Sequence, residues 1–479
     1  LIGQFGVGFY SAFIVAKKVE LKTRSARVGP EQGIHWESEG TGEYQLEQID
    51  LPRRGTEIIL HLKDEEEELL SGWRLRSIIT KYSDHVPLPI EMREQNDEGE
   101  PTAKLEVVNK ASALWTRAKS DISEDEYKEF YKHVGHDFED PMAWTHNRVE
   151  GKTEYISLLY IPAKAPFDLY EPNQTHGLKL YVQRVFIMED AEKLLPRYLR
   201  FARGVIDSSD LPLNVSREIL QSNKIIDSIR SGSVKKILGL LESIASNDPG
   251  KYKLFWKEFG KVMKEGPGED YANREQIAKL LRFASTHDDT EDQTVSLADY
   301  IERMKEDQEA IYYITADNFN AARNSPHLEI FRKKGIEVLL MYDRVDEWLM
   351  GSLTDFEDKK FVSVAKGELD LDKLSDKDEK EEQKKVEEQA KDIVKIIKSS
   401  LEDKVEDVRV SHRLTASPAC IVLNEHEMAL YMQHLLKQAG QSMPNTKPVL
   451  EINRAHPMLE KMKYETDMDK VKDWSMLLC

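Results

Sequence analysis

The chain has 479 residues, with 68 Lys and Arg against 87 Asp and Glu, a formal charge of −19 and two cysteines. That length sets an expectation of about three domains, and the acidic balance excludes a nucleic-acid partner gripped through its phosphates and a cationic membrane-surface helix. Cys420 and Cys479 cannot form a disulfide framework, and no apolar run approaches the ~20 residues of a membrane span, so a soluble, cytoplasmic protein without membrane partners is expected.

The chain opens Leu1-Ile2-Gly3-Gln4-Phe5-Gly6-Val7-Gly8-Phe9, with glycines at i, i+3 and i+5 before a helix-compatible run. Glycines let backbone N–H groups approach an anion, and the N-terminal end of the following helix is positive. The order G-x-x-G-x-G is neither the dinucleotide fingerprint nor the P-loop, so the spacing alone leaves open a phosphate cradle or a tight strand-to-helix turn. The first residue is not Met, and a ligand loop with no strand before it suggests an N-terminally truncated chain.

Residues 9–16 are predicted as a helix. Val19–Thr23 alternates at period two, and Ile34–Glu39, Tyr44–Ile49 and Glu57–Leu62 give further strand signals. Gly55-Thr56 is a turn glycine followed by a β-former. Asp64–Leu70 and Trp73–Tyr82 are predicted helical. Residues 92–107 are polar, with Gly99 and Pro101, and are predicted as a short linker. A second domain begins at Ala111, with a helix capped by Ser123, strands at Tyr155–Ile161 and Leu178–Phe186, and helices at Ile219–Ala245 and Lys253–Val262. Tyr312–Ile314 and Val338–Met341 are short apolar runs flanked by helices at Ala321–Lys334 and Asp346–Leu349, which implies a smaller α/β lobe. After the charge run Asp376–Glu388, apolar residues at Ile393, Ile397, Leu401 and Val405 step by four and suit one helix face. A last helix is predicted over Met468–Leu478, and its end without a C-cap or tail suggests truncation there too.

Arg217 and Gln221 are spaced i, i+4 after the loop Asp210–Asn214, on one face of a helix start. By spacing, Arg217 either bridges carboxylates at a helix terminus or serves a site. Met428, Met432, Leu435 and Leu436 form a stripe in the helical stretch Glu425–Ala439, either a core face or a soft surface for varied partners. Ser83-Asp84-His85 holds triad residue types, but adjacent residues do not converge as a triad. His133, His136, Asp137 and Asp140 lack a closed ligand set, and no metal site is assigned. Trp115, Trp144 and Trp256 are simplest as core or interface anchors, while Phe167 and Trp144 are candidates for exposed apolar surface.

LIGQFGVGFYSAFIVA closely resembles the glycine loop of the ninety-kilodalton heat-shock chaperone family, and the resemblance continues along nearly the whole chain. It implies a multidomain α/β (α+β) protein: a partial Bergerat-type ATPase domain at 1–91, a short linker at 92–108, a two-lobed α/β middle domain at 109–370, and an incomplete α/β dimerisation domain at 371–479. The short linker matches bacterial members, since eukaryotic cytosolic members carry a long acidic one. The resemblance assigns ATP, with Mg2+ in full-length members, to Gly3, Gln4, Phe5, Gly6, Val7, Gly8, Phe9 and Thr56. It makes Asp210–Gln221 a catalytic loop, with Arg217 on the γ-phosphate as an arginine finger in cis, Gln221 supporting the nucleotide and Asn214 beside them. Trp348, Met428, Met432, Leu435 and Leu436 match client-contact positions. The implied function is an ATP-dependent homodimeric clamp of the stress response that acts on non-native client proteins, alone or with other chaperones.

One departure bears on activity. The family's general-base glutamate, magnesium-holding asparagine and adenine-side acid precede the glycine loop and are not in this chain, so the chain as written is expected not to turn over ATP. Two other readings remain: an ATP-independent holdase or scaffold, and another ATPase of the same superfamily. For the latter, the charge opposes the DNA-acting mismatch-repair and type II topoisomerase members, and the lack of a membrane segment opposes a sensor kinase.

Overall fold

Alternation at Val19–Thr23 seeds a four-stranded antiparallel sheet, β1 Ala16–Arg24, β2 Gly33–Ser38, β3 Gln45–Ile49 and β4 Gly55–Leu62, in the order β3-β2-β1-β4. The computed structural model describes residues 8–96, 101–151, 153–171, 177–189, 193–212, 224–367, 377–425, 427–428, 432–433, 440 and 447–479. They divide into two compact units, one of Leu1–Ala163, Glu171–Leu195 and Ala202–Ser233, the other of Lys164–Tyr170, Pro196–Phe201 and Val234–Cys479.

In the first unit, Leu21 lies opposite Trp36 on one side and Ile58 on the other, and Thr23 lies opposite Thr56. Side chains alternate across a strand, so Val19, Leu21, Thr23, Trp36, Thr56, Ile58 and Leu60 share one face. Lys18, Glu20, His35, Glu37 and His61 share the other. The helix expected at 9–16 is a 3-10 turn, Gly8–Ser11, running into a short helix, Ala12–Val15, before β1 starts at Ala16. Residues 64–70 form 3-10 turns, and the helix Gly72–Ser83 follows.

The segment expected as a plain linker contains a ladder, in which β5 Glu91–Gln95 pairs antiparallel with β6 Pro101–Val107. Its polar composition masked an alternation that places Glu91 opposite Val107 and Arg93 opposite Leu105. The buried Asn109 ties its base: the Asn109 amide donates to Leu88 O (3.0 Å), and its oxygen accepts from Ile90 N–H (2.8 Å).

A five-stranded sheet follows, with β7 Ala143–Val149, β8 Tyr155–Ile161, β9 Leu178–Val182, β10 Val185–Glu189 and β11 Arg203–Ser208 in the order β10-β9-β11-β8-β7. The single strand expected over Leu178–Phe186 is two, because the chain reverses at Gln183 and Arg184, whose φ values are 51° and 67°. Such a two-residue reversal matches strand twist, but it lacks the Asn-Gly or Asp-Gly signal that would betray it. The helix Glu124–Gly135 starts in a capping box between Ser123 and Glu126 and buries Tyr127, Phe130, Tyr131 and Val134 against Trp115, Leu158 and Val205. Gly204, in the interior strand β11, has φ +135°, and a Cβ there would collide with the Leu158 carbonyl.

In the second unit, β12 Ala284–Ser285, β13 Ala310–Thr315, β14 Leu339–Met341, β15 Asp355–Phe356 and β16 Lys359–Ser363 run in the order β12-β14-β13-β16-β15, with β13 parallel to both neighbours. The helix expected over Ala321–Lys334 is broken into Phe319–Arg323, a 3-10 turn at Pro326–Leu328, and Glu329–Lys334, because Pro326 has no N–H to continue the first helix. The described part of the helix expected at Ile219–Ala245 runs Lys224–Asn247, and the next is Pro249–Met263. The first half of the four-residue apolar step is a helix, Lys377–Ser400, burying Ala390, Ile393 and Ile397 over the sheet of β17 Asp407–Val410, β18 Ala419–Val422 and β19 Val449–Ile452, whereas Leu401 and Val405 join the same core from beyond the helix end. The last helix is Met468–Leu478, as expected.

Candidate functional site

Gly3, Gln4, Phe5, Gly6 and Val7 lie outside the described residues; Gly8, Phe9 and Thr56 do not. Phe9 sets its ring edge against Trp36, with centroids 5.5 Å apart. That places Phe9 on the same sheet face as Thr56, one cross-strand pair along. Between them the floor is apolar, and Ile58 and Leu60 are exposed. Thr56 Oγ1 is 2.7 Å from Thr23 Oγ1, and Gly55 makes room for the turn before it with φ +123°. At the other end, Ser11 Oγ donates to Gly8 O (2.5 Å), and nothing occupies the space a Gly8 Cβ would fill. The result is an open apolar face with a hydroxyl at one side and a glycine turn at the other.

Asn214, Arg217 and Gln221 also lie outside the described residues, but the root of their loop is inside. Trp115 Nε1–H and Arg184 N–H donate to the two oxygens of the Asp207 carboxylate, at 2.8 and 3.2 Å. Asp207 is buried, and that burial pushes its pKa up against the two donors. Gln183 N–H donates to Ser208 O, so the β9–β10 reversal is stitched to the end of β11. Glu154 then holds the exit: its carbonyl accepts from Ser209 N–H, and its N–H donates to Asp210 Oδ2 at 2.9 Å. Beside this root is a cleft of ≈ 490 Å³ lined in part by Arg148, Arg184, Glu150 and Asp207. Trp115, Asp207 and the Gln183-Arg184 reversal were not legible as site residues, because only the fold brings positions 92 residues apart together.

Trp348, in the helix Asp346–Ser352, is 45% exposed and rests one edge of its indole on Gly268, where a Cβ would overlap the ring. The helix is pinned on both sides of it. Glu347 accepts from Thr315 Oγ1 (2.9 Å) and pairs with Lys366 (2.7 Å). Asp346 is fully buried and pairs at 2.8 Å with Lys264, which also meets Asp343 at 2.8 Å. Two carboxylates keep the Lys264 amine charged in spite of its burial. Leu435 and Leu436 lie outside the described residues. Met428 is exposed and Met432 half-buried, but the helix expected from Glu425 does not begin there, since Glu425 is in a turn and Met428 lies before the described helical residues Met432 and Gln433. Gln433 Nε2 instead donates back to Met428 O (2.8 Å). Phe167 is exposed, as the sequence suggested, and Trp115 and Trp256 are buried.

The Ser83-Asp84-His85 group is a structural knot. His85 Nδ1–H donates to Ser112 O (2.9 Å), and Asp84 Oδ1 accepts from Lys110 N–H (3.0 Å). His133 comes within 3.6 Å of Asp84 and His136 within 3.5 Å of Lys179, whereas Asp137 accepts from Tyr131 and Asp140 pairs with Lys132, so the four residues weighed for a metal are used separately.

The model of the Hsp90 protein family matches residues 93–478. The chaperone protein HtpG of Nitrosococcus oceani is 63% identical over all of this chain and 76% of its own length. Those of Dechloromonas aromatica and Chromobacterium violaceum are 60% and 59% identical over all of this chain and 75% and 76% of theirs. By class, then, this mixed α/β protein is a molecular chaperone. It belongs to the Hsp90 family and is of the HtpG type. No described helix is long and apolar enough to cross a membrane.

Proposed function

We propose that the chain acts as an ATP-dependent, homodimeric chaperone clamp of the cytoplasm, with non-native proteins as clients and other chaperones as co-workers. The reading rests on the whole-chain similarity to proteins named as chaperones. Its domains are 1–91 for nucleotide, 92–108 as a connecting segment, 109–370 carrying the catalytic loop, and 371–479 for dimerisation. The described residues fit a nucleotide: Ile58 and Leu60 offer an apolar floor for a purine, Thr56 a hydroxyl, and the Gly8 turn an unobstructed backbone. Gly3–Phe9 would hold the phosphates, with Mg2+ beside them. ATP would supply the phosphoryl group, and the Arg217 guanidinium is suited to neutralise its charge, with Gln221 and Asn214 in the same loop. Trp348, Met428, Met432, Leu435 and Leu436 would contact clients.

The test combines calorimetric titration of the chain with Mg2+–ATP and suppression of aggregation of a heat-unfolded protein, with and without ATP. Suppression that ATP modulates, and that Arg217→Ala uncouples from ATP, is the expected result. Failure to suppress aggregation overturns the chaperone surface. Suppression indifferent to ATP replaces the clamp with an ATP-independent holdase.

A further inference from the structure

The sheet face opposite Phe9 and Thr56 is polar, and it concentrates chemistry that the chaperone reading does not use. Glu20 and Lys18 stand on β1, His35 and Glu37 on β2, Glu47 on β3 and His61 on β4, all brought together by register: Glu20 opposite Glu37, His35 opposite Glu47 and Lys18 opposite His61. Lys22, opposite His35 and Glu57, and Ile59, opposite Glu20, lie on the same face.

His35 is the centre. Its Nδ1 is 3.3 Å from Glu47 Oε1, and as a carboxylate only accepts, Nδ1 carries the proton of that hydrogen bond. That leaves Nε2 as the ring atom available to a ligand. That atom is buried and has no hydrogen-bond partner, yet it points at Glu20 Oε2 (3.5 Å) and Glu37 Oε2 (3.9 Å). An imidazole nitrogen beside two carboxylates is a donor set that a cation can gather. Lys18 reaches both carboxylates, at 3.2 and 2.8 Å, and offsets part of their charge, but gives His35 Nε2 no donor.

We propose that Glu20, His35 and Glu37 form a binding site for a divalent transition-metal ion, Zn2+ by donor set. The three donor atoms lie within 4.8 Å of one another. A tetrahedral ion with ligands at about 2.0–2.2 Å has ligand–ligand edges of about 3.3–3.6 Å. The His35 edges of 3.5 and 3.9 Å are close to that, and the Glu20–Glu37 edge, within 4.8 Å, closes by a side-chain movement. Imidazole with carboxylates favours Zn2+ over Mg2+. Glu47 is the outer partner, orienting the ring and raising its basicity as a carboxylate does behind a metal-bound histidine. A solvent molecule takes the fourth position. His61, hydrogen-bonded to Glu20 Oε1 at 2.8 Å, orients that carboxylate. Lys18 is the ion's competitor: its flexible amine withdraws as the metal enters. The bound ion ties β1 to β2 on the side of the sheet away from Phe9.

The test uses the full chain with Cys479→Ser, which removes the exposed thiol as a competing ligand. Zn2+ affinity is measured by competition with a chromophoric chelator, and geometry by the visible absorption of Co2+. One ion per chain is expected, with a tetrahedral Co2+ spectrum that excess Mg2+ leaves unchanged. Glu47→Gln should weaken binding about tenfold. His35→Phe should abolish it and the Co2+ spectrum, and Lys18→Met should tighten it. Lys18→Met separates a metal site from a plain ion-pair network, because the network loses its cation while the metal site gains free carboxylates. Unaltered affinity in His35→Phe, or weaker binding in Lys18→Met, overturns the proposal. Circular dichroism checks that the substitutions at half-buried Lys18 and His35 and at exposed Glu47 leave the fold intact.

Discussion

Lys264→Met is the sharpest probe of how Trp348 is presented. Lys264 is 1% exposed, sits at 2.8 Å from both Asp343 and Asp346, and lies over the Phe283 ring. Methionine keeps the volume of the stem but strands two carboxylates where water does not reach. Asp346 accepts from Asp343 N–H (2.9 Å) and has no second cation among the described residues, while Asp343 keeps Gln293 (2.8 Å) and the exposed Lys261 (3.6 Å), so the cost falls mainly on Asp346. Removing one partner of a buried pair costs about 3–5 kcal/mol. For a unit of this size that lowers Tm by about 10 °C. Asp346 also begins the helix that carries Trp348, so the indole emission should shift red and client affinity should fall together. Differential scanning calorimetry and fluorescence read both. Lys264→Met with Asp346→Asn should recover about half of the loss, since one buried charge goes with the cation. A fall in Tm of less than about 2 °C for the single variant would mean that the aspartates are solvated or protonated, and would refute the reasoning.

Three further outcomes are expected. Gly204→Ala should destabilise the first unit by about 3 kcal/mol, because φ +135° is strained for any L residue and the Leu158 carbonyl occupies the Cβ position; urea denaturation measures it. His327 is buried beside Arg413, and burial first, then that guanidinium, holds its pKa down from 6.5 to about 4. The unfolded chain therefore takes up this proton below pH 6.5 while the folded chain does not, so stability falls as pH falls, by about 2 kcal/mol at pH 5. Thermal melts at pH 7 and pH 5 should show a smaller loss for His327→Gln, and equal losses would exclude His327 as the source. Trp348→Ser and Met432→Ser should each weaken binding of a reduced, unfolded protein severalfold, with Tm changed little for Trp348→Ser because half of the ring is already in water; unchanged affinity in fluorescence titration would remove these residues from the client surface.

Elements with an uninterrupted local signal were legible in advance. The alternation at Val19–Thr23, the short apolar run Tyr155–Ile161, the helix capped by Ser123 and the terminal helix Met468–Leu478 each carry a local signal that the fold keeps. Misreadings came where a local device interrupts the period. The Gln183-Arg184 reversal hides inside an apolar run, Pro326 breaks a helix that otherwise scans as continuous, and the β5–β6 ladder is too polar to resemble strands.

For the site, the glycine spacing and the i, i+4 pair Arg217 and Gln221 were visible in the residues themselves, whereas the roles expected of them, of Thr56 and of Trp348 rest on the family resemblance. That Phe9 and Thr56 share a sheet face is a matter of register, which depends on strands separated by turns of unspecified length. The Asp207 clasp on the loop root, the Lys264 charge cluster and the Glu20–His35–Glu37 group are assembled across tens of residues. The amino-acid sequence by itself determined the family, most of the elements and the residue types available for chemistry. Tertiary structure alone decided which of those residues meet, since pairing and burial, not proximity in the chain, set which charges are desolvated together.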